Sequence, residues 1–141
     1  MTTTATPSKP LPAPTPTSQP FWDALRAHEV RIQQCTSCDA FIFYPRSNCP
    51  SCLSADLTWQ KVAGTGTIYT FTIARRPTAP PFADEVPQKI AVVKLDEGPH
   101  LTTTLVNVEP EEIRIGMRVQ PVFDDIAGID VTLLRYQPAE A

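Results

Sequence analysis

The chain has 141 residues, enough for one domain, and carries 12 Lys and Arg against 15 Asp and Glu, a formal net charge of -3. That balance argues against general affinity for nucleic acid, because binding a phosphate backbone requires many phosphates to be neutralised by Lys and Arg. No stretch reaches the roughly 18 apolar residues that cross a bilayer, and Met1–Pro20 contains no apolar run of signal-peptide type. A soluble, cytoplasmic protein with no membrane association is therefore expected.

In chain order, residues 1–20 are almost entirely Thr, Pro, Ala and Ser, hold six of the sixteen prolines and have Lys9 as their only charge. Such a composition cannot bury enough apolar surface to offset the entropy of ordering, so it reads as a disordered tail or linker, either a free end or a junction to an upstream domain. The pattern changes at Phe21. Phe21, Trp22, Leu25 and Val30 recur at roughly helical spacing, which predicts a short amphipathic helix at the start of a 21–34 segment that ends in a lead-in strand. Phe21 and Trp22 are large and adjacent, so they are candidate anchors for a partner as well as for the domain's own core.

Residues 35–56 contain the four cysteines, Cys35-x2-Cys38 and Cys49-x2-Cys52, separated by ten residues. Each C-x-x-C can present two sulfurs from one tight turn, and two such turns facing each other supply the tetrahedral shell that zinc prefers. With all four positions filled by protein, the metal would be structural rather than catalytic. Rubredoxin-like iron is a second reading, disfavoured because Asp39 and Leu53 stand where iron knuckles usually carry a small residue. Two disulfides are a third, and would need an oxidising compartment.

From Leu57 the chain reads as strands: 57–62, 67–75, 88–95, 101–106, 118–123 and 129–136 are runs rich in β-branched and aromatic residues. Gly64-Thr-Gly66 permits a bulge or sharp bend, Asp96-Glu-Gly98 reads as a hairpin turn, and 109–116 as a short helical turn closed by glycine. Several short strands with no helix long enough for a parallel crossover predict a mainly β fold: a helix, a zinc ribbon, then a five-stranded OB-like barrel over 57–138. Residues 77–87 interrupt the series with four prolines and Phe82. They predict an exposed, semi-rigid loop whose aromatic is a candidate recognition element.

No catalytic constellation is legible. The only histidines, His28 and His100, have no nucleophile beside them, and the carboxylate pairs at 84–85, 96–97, 111–112 and 124–125 are explained as solvated turn residues. Gly64-Thr-Gly66 lacks the third glycine and the lysine of a phosphate loop.

Taken together, the helix at Phe21, Gln34-Cys-Thr-Ser-Cys38, Tyr44-Pro-Arg-Ser-Asn-Cys-Pro-Ser-Cys52, Gly64-Thr-Gly-Thr-Ile-Tyr-Thr-Phe-Thr72, Val86-Pro87, Val93-Lys-Leu-Asp-Glu-Gly98 and Ile115-Gly-Met-Arg-Val119 resemble a known series of motifs. It is that of the acyl-CoA-associated OB-fold family with an N-terminal rubredoxin-like zinc ribbon, the domain-of-unknown-function 35 type. The resemblance fades at 129–138, where the last strand leads to Pro138. It implies a non-catalytic accessory role beside a thiolase-like, lipid-transfer-protein-type enzyme that performs acyl-CoA chemistry, such as retro-aldol cleavage of a steroid side-chain CoA thioester. It also implies a possible junction to a MaoC-type hydratase domain. On that reading Cys35, Cys38, Cys49 and Cys52 hold structural zinc, Phe21, Trp22 and Phe82 face the partner, and Arg75 or Arg76 contacts the phosphates of the CoA thioester. The competing class is an independent OB module for nucleic acid or oligosaccharide, with Tyr69, Phe71 and Arg75 as a small stacking face.

Overall fold

A computed structural model describes residues 10–126 and 128–139, so the first nine residues of the expected tail lie outside the described residues. Helix α1 runs Gln19–Arg26, with Pro20 in its first turn where a missing N–H costs nothing. It stops earlier than the hydrophobic spacing predicts. His28 adopts φ 59, and Glu29 N–H bonds back to Ala24 O at 2.9 Å, so the chain reverses and Val30 begins a strand instead of a further turn.

Strands β1 (Val30–Cys35), β2 (Phe41–Ile42) and β3 (Leu57–Val62) form one antiparallel sheet in the order β2-β1-β3. β3 has the predicted bounds, but it does not open the barrel sheet. It pairs with β1 from Val30–Val62 to Cys35–Leu57, completing the ribbon.

The second sheet contains β4 (Gly66–Ala74), β5 (Gln88–Leu95), β6 (His100–Thr104), β7 (Arg118–Asp125) and β8 (Thr132–Pro138), in the order β6-β5-β4-β7-β8. Its ends meet. Leu105 forms a parallel bridge with Tyr136, and Val106 N–H donates to Tyr136 O at 2.8 Å. A meander, a parallel closure between the third and fifth strands, and a short connection between the third and fourth give an OB barrel. Inside lie Ile68, Ala91, Val93, Leu95, Leu101, Val119 and Tyr136. Val30 and Ile32 of β1 belong to the same cluster, so the base of the ribbon is part of the barrel's core.

Two glycines are needed at the junction. Gly64 has φ 77, and a Cβ there would stand 2.8 Å from Val30 Cγ2, while a Cβ on Gly66 would collide with Lys94 O. The Tyr136 hydroxyl, fully buried, donates to Gly64 O at 2.6 Å. The 77–87 segment is not wholly irregular: Pro80–Glu85 forms a 3-10 helix with no fully buried residue. Pro110–Glu112 forms another, matching the expected turn.

Candidate metal centre and docking face

The two C-x-x-C segments fold into the same turn. Cys35 N–H donates to Ala40 O and Asp39 N–H to Cys35 O, both at 2.9 Å; Cys49 N–H donates to Ser54 O and Leu53 N–H to Cys49 O, both at 2.8 Å. Asp39 and Leu53, each following a second cysteine, take φ 64 and φ 67, the left-handed region in which a side chain costs energy and glycine does not. A buried amide holds the turns in place. Gln33 Nε2 donates to Arg46 O at 2.8 Å and Arg46 N–H donates to Gln33 Oε1 at 2.7 Å, fixing the approach to the second knuckle.

The four sulfurs lie within 4.8 Å of one another, with Cys35–Cys52 at 3.5 Å and Cys38–Cys49 at 3.6 Å. Four sulfurs bound tetrahedrally at ~2.3 Å from zinc would be about 3.8 Å apart, so the cluster is close to the spacing that ion requires. Cys35 and Cys49 are buried and Cys38 and Cys52 exposed. Backbone N–H groups of Cys52 and Ser51 lower the Cys49 thiol to about 6, and those of Cys38 and Ser37 lower Cys35. Such donors favour thiolate. Four thiolates this close repel one another, and the conflict falls on Cys38 and Cys52, both of which are raised: at Cys52 the Ser54 N–H lowers it, but the neighbouring thiols, Cys35 first, outweigh that and push it up to about 12. A dication resolves the conflict by giving every sulfur an opposite charge.

The face beside the ribbon is aromatic. Phe21 is buried and meets Trp22 edge-on at 5.1 Å and Phe43 at 5.3 Å, and Phe43 contacts Tyr44 at 4.2 Å. With Leu25, Leu101 and Leu134 these rings line a groove of about 580 Å³ between α1, the ribbon hairpin and strands β6 and β8. That volume is in the range of small-molecule sites. Phe82 lies elsewhere, in a neighbouring hollow of about 340 Å³ with Leu11, Ile126 and Ile129. The two share Thr104, Leu133 and Arg135 as lining, and the segment 10–13 runs along both. Arg135 is held there by Asp124 at 2.8 Å and Glu85 at 3.8 Å.

Arg75 and Arg76 are exposed just past the end of β4, outside the groove lining. The stacking face of Tyr69, Phe71 and Arg75 does not form: Tyr69 is exposed and leans on His100 at 4.5 Å, whereas Phe71 packs toward the barrel core. His28 stacks on Phe123 at 5.1 Å and bonds Asp125 at 2.8 Å, with Thr132 Oγ1 donating to the other carboxylate oxygen at 2.6 Å. This clamps the α1–β1 corner to the β7–β8 hairpin. Phe43, Tyr44 and Arg135 were not among the residues given a site role from sequence. The adjacent Phe43-Tyr44 pair, directly after the first knuckle, was the available signal; Arg135 had none. Among the described residues no helix is long and apolar enough to cross a membrane.

Comparison with known proteins agrees with this architecture. Residues 22–58 match the ChsH2 rubredoxin-like zinc ribbon domain and residues 59–124 the ChsH2 C-terminal OB-fold domain. A probable enoyl-CoA hydratase alpha subunit of Thermomonospora curvata is 38% identical over 121 residues, but the alignment spans 84% of this chain and 37% of that protein. A DUF35 domain-containing scaffold protein of Methanocaldococcus jannaschii is 34% identical, with 76% of this chain and 79% of that protein covered. Among solved structures, a chain of an Ltp2-ChsH2(DUF35) aldolase superposes with TM-score 0.79 at 34% identity, covering 91% of this chain and 98% of that one. A ribbon whose sulfurs fit zinc, fused through its base to an OB barrel, places this chain in the ChsH2/DUF35 family of zinc-ribbon and OB-fold proteins.

Proposed function

We propose that this chain is a non-catalytic accessory subunit that docks on a thiolase-like, lipid-transfer-protein-type enzyme and helps enclose its acyl-CoA substrate, with Cys35, Cys38, Cys49 and Cys52 binding a structural zinc. The observation that carries the reading is the row Phe21, Trp22, Phe43 and Tyr44 bordering an apolar groove, on a scaffold whose metal shell is filled by protein. Large aromatics beside a concave apolar face are the usual composition of an interface centre. The likeness to a subunit of an aldolase favours retro-aldol cleavage of a steroid side-chain CoA thioester as the partner's reaction. The likeness to a probable enoyl-CoA hydratase alpha subunit favours a hydratase domain of MaoC type as a second associate. Phe82 would form the rim, and Arg75 or Arg76 a contact for CoA phosphates.

The test is co-expression with thiolase homologues, followed by a CoA-thioester cleavage assay with and without this chain. Cleavage that requires both proteins is expected, and turnover by this chain alone contradicts the proposal. Trp22→Ala should weaken co-purification by about tenfold or more, as loss of an interface anchor does, while the isolated chain stays folded because Trp22 is only half-buried. Arg75→Ala or Arg76→Ala should raise the apparent dissociation constant for the CoA ester if a charge-assisted bond is lost; unchanged binding in both removes that contact.

A further inference from the structure

The edge of β4 that faces away from β5 is paired over only part of its length. Gly66 and Thr67 lie against Val119 and Arg118 of β7. Ile68 N–H donates to Met117 O at 2.9 Å, and Ile68 O accepts from Gly116 N–H at 2.8 Å. Then the strand bulges. Ile68 is opposite Val93 and Thr70 opposite the adjacent Val92, so Tyr69 is the extra residue. Beyond it, no described residue pairs with Thr70–Ala74 on the outer side.

The alternation identifies the open groups. Leu95 N–H donates to Pro99 O, and Lys89 O accepts from Leu105 N–H, so the odd-numbered residues of β5 turn their backbone groups toward β6 and the even-numbered ones toward β4. Val92 and Ile90 therefore face Thr70 and Thr72, their partners in register. The N–H and C=O of Phe71 and Ile73 point out of the sheet.

Proteins usually blunt such an edge with charge or proline, and Thr70-Phe-Thr-Ile-Ala74 contains neither. Its flanks are not inert. Tyr69 is 56% exposed and Ile115, in the turn that runs beside Ile68, 69% exposed; Arg75 and Arg76 are exposed at the other end.

We propose that this edge pairs antiparallel with the same edge of a second copy of the chain, giving a two-fold dimer in which two barrels share one sheet. The register sets Phe71 opposite Ile73 of the second copy, so that both open backbone groups of each strand are used, and places Thr72 on the two-fold axis. It is self-complementary. Uncharged side chains meet along the paired length, and the Arg75–Arg76 end of each strand comes level with Tyr69 of the other, where a guanidinium can lie against the ring. This inference is independent of the accessory role proposed above.

Sedimentation of the zinc-loaded full chain over a range of concentrations, alongside Thr72→Lys and Thr72→Glu, tests it. Thr72 is exposed, so both variants should keep the wild-type circular dichroism. Wild type should dimerise. Each variant, with like charges opposed on the axis, should show a dimer dissociation constant raised about tenfold or more, and mixing the two should restore association. In the wild type, amide exchange at Phe71 and Ile73 should slow as concentration rises. A wild type that stays monomeric, a Thr72→Lys variant that dimerises as tightly as wild type, or edge amides protected only by an added thiolase homologue would overturn it.

Discussion

The knuckle end of the ribbon and the barrel are held by different means. The barrel encloses twelve buried residues, whereas the cluster at the knuckles consists of Cys35, Ile42 and Cys49 with Leu57 against them. At ~25 cal/mol per Å² of apolar surface buried, the barrel cluster contributes far more than Cys35, Ile42 and Cys49, which alone cannot hold two turns that carry left-handed Asp39 and Leu53. A metal bound by four thiolates can. The boundary between these regimes does not coincide with the domain boundary, since Val30 and Ile32 are ribbon residues in the barrel's core.

The largest expected effect breaks this contrast at the metal. Structural zinc contributes on the order of 10–16 kcal/mol to small zinc-binding peptides. Chelation, or Cys49→Ser, should therefore expose the amides around residues 35–57 to exchange while β4–β8 keep theirs. Uniform loss of protection across both regions would show that the two are one cooperative unit.

An intermediate effect is expected at the junction. Tyr136→Phe removes the donor to Gly64 O and leaves a buried carbonyl unpaired, which should cost about 1–3 kcal/mol in urea unfolding and leave zinc content unchanged. A parallel loss of zinc would mean that the barrel, not the thiolates, positions the knuckles.

The smallest effect sharpens the barrel side. Arg118 binds both oxygens of Asp96 at 2.7 and 2.9 Å, and Thr65 Oγ1 donates to one of them at 2.7 Å. The Arg118 bond first, then that of Thr65, lowers the Asp96 carboxyl from 3.8 to about 2. A depressed carboxyl stabilises the fold above its ordinary value and loses that contribution as pH falls from about 4 toward 2. With both side chains roughly half exposed, solvent screening keeps the contribution small. Arg118→Ala should lose that small contribution at neutral pH and flatten the stability profile between pH 4 and 2; a profile parallel to wild type would contradict the assignment.

Much of this was legible in the chain. Cysteine spacing and short β-branched runs are local signals, so the ribbon, the bounds of β3 and the barrel strands could be read directly. Pairing is not local. Nothing within Leu57–Val62 says that its neighbour is Val30–Cys35 rather than a barrel strand. Strict alternation likewise put Tyr69 and Phe71 on one face, and the single extra residue at the bulge turned Phe71 inward. The groove escaped because its lining comes from α1, the hairpin after the first knuckle, β6 and β8, which only the closed barrel brings together. Arg135 acquires a role only after Asp124 and Glu85 converge on it.

One reconstitution bears most directly on whether a metal-held ribbon and its barrel serve another enzyme. A thiolase homologue that co-purifies with this chain would be assayed for CoA-thioester cleavage alone, with the zinc-loaded chain, and with Cys49→Ser. Full cleavage only with the zinc-loaded chain is predicted. Equal cleavage with Cys49→Ser, or turnover by this chain without the thiolase homologue, would contradict the account.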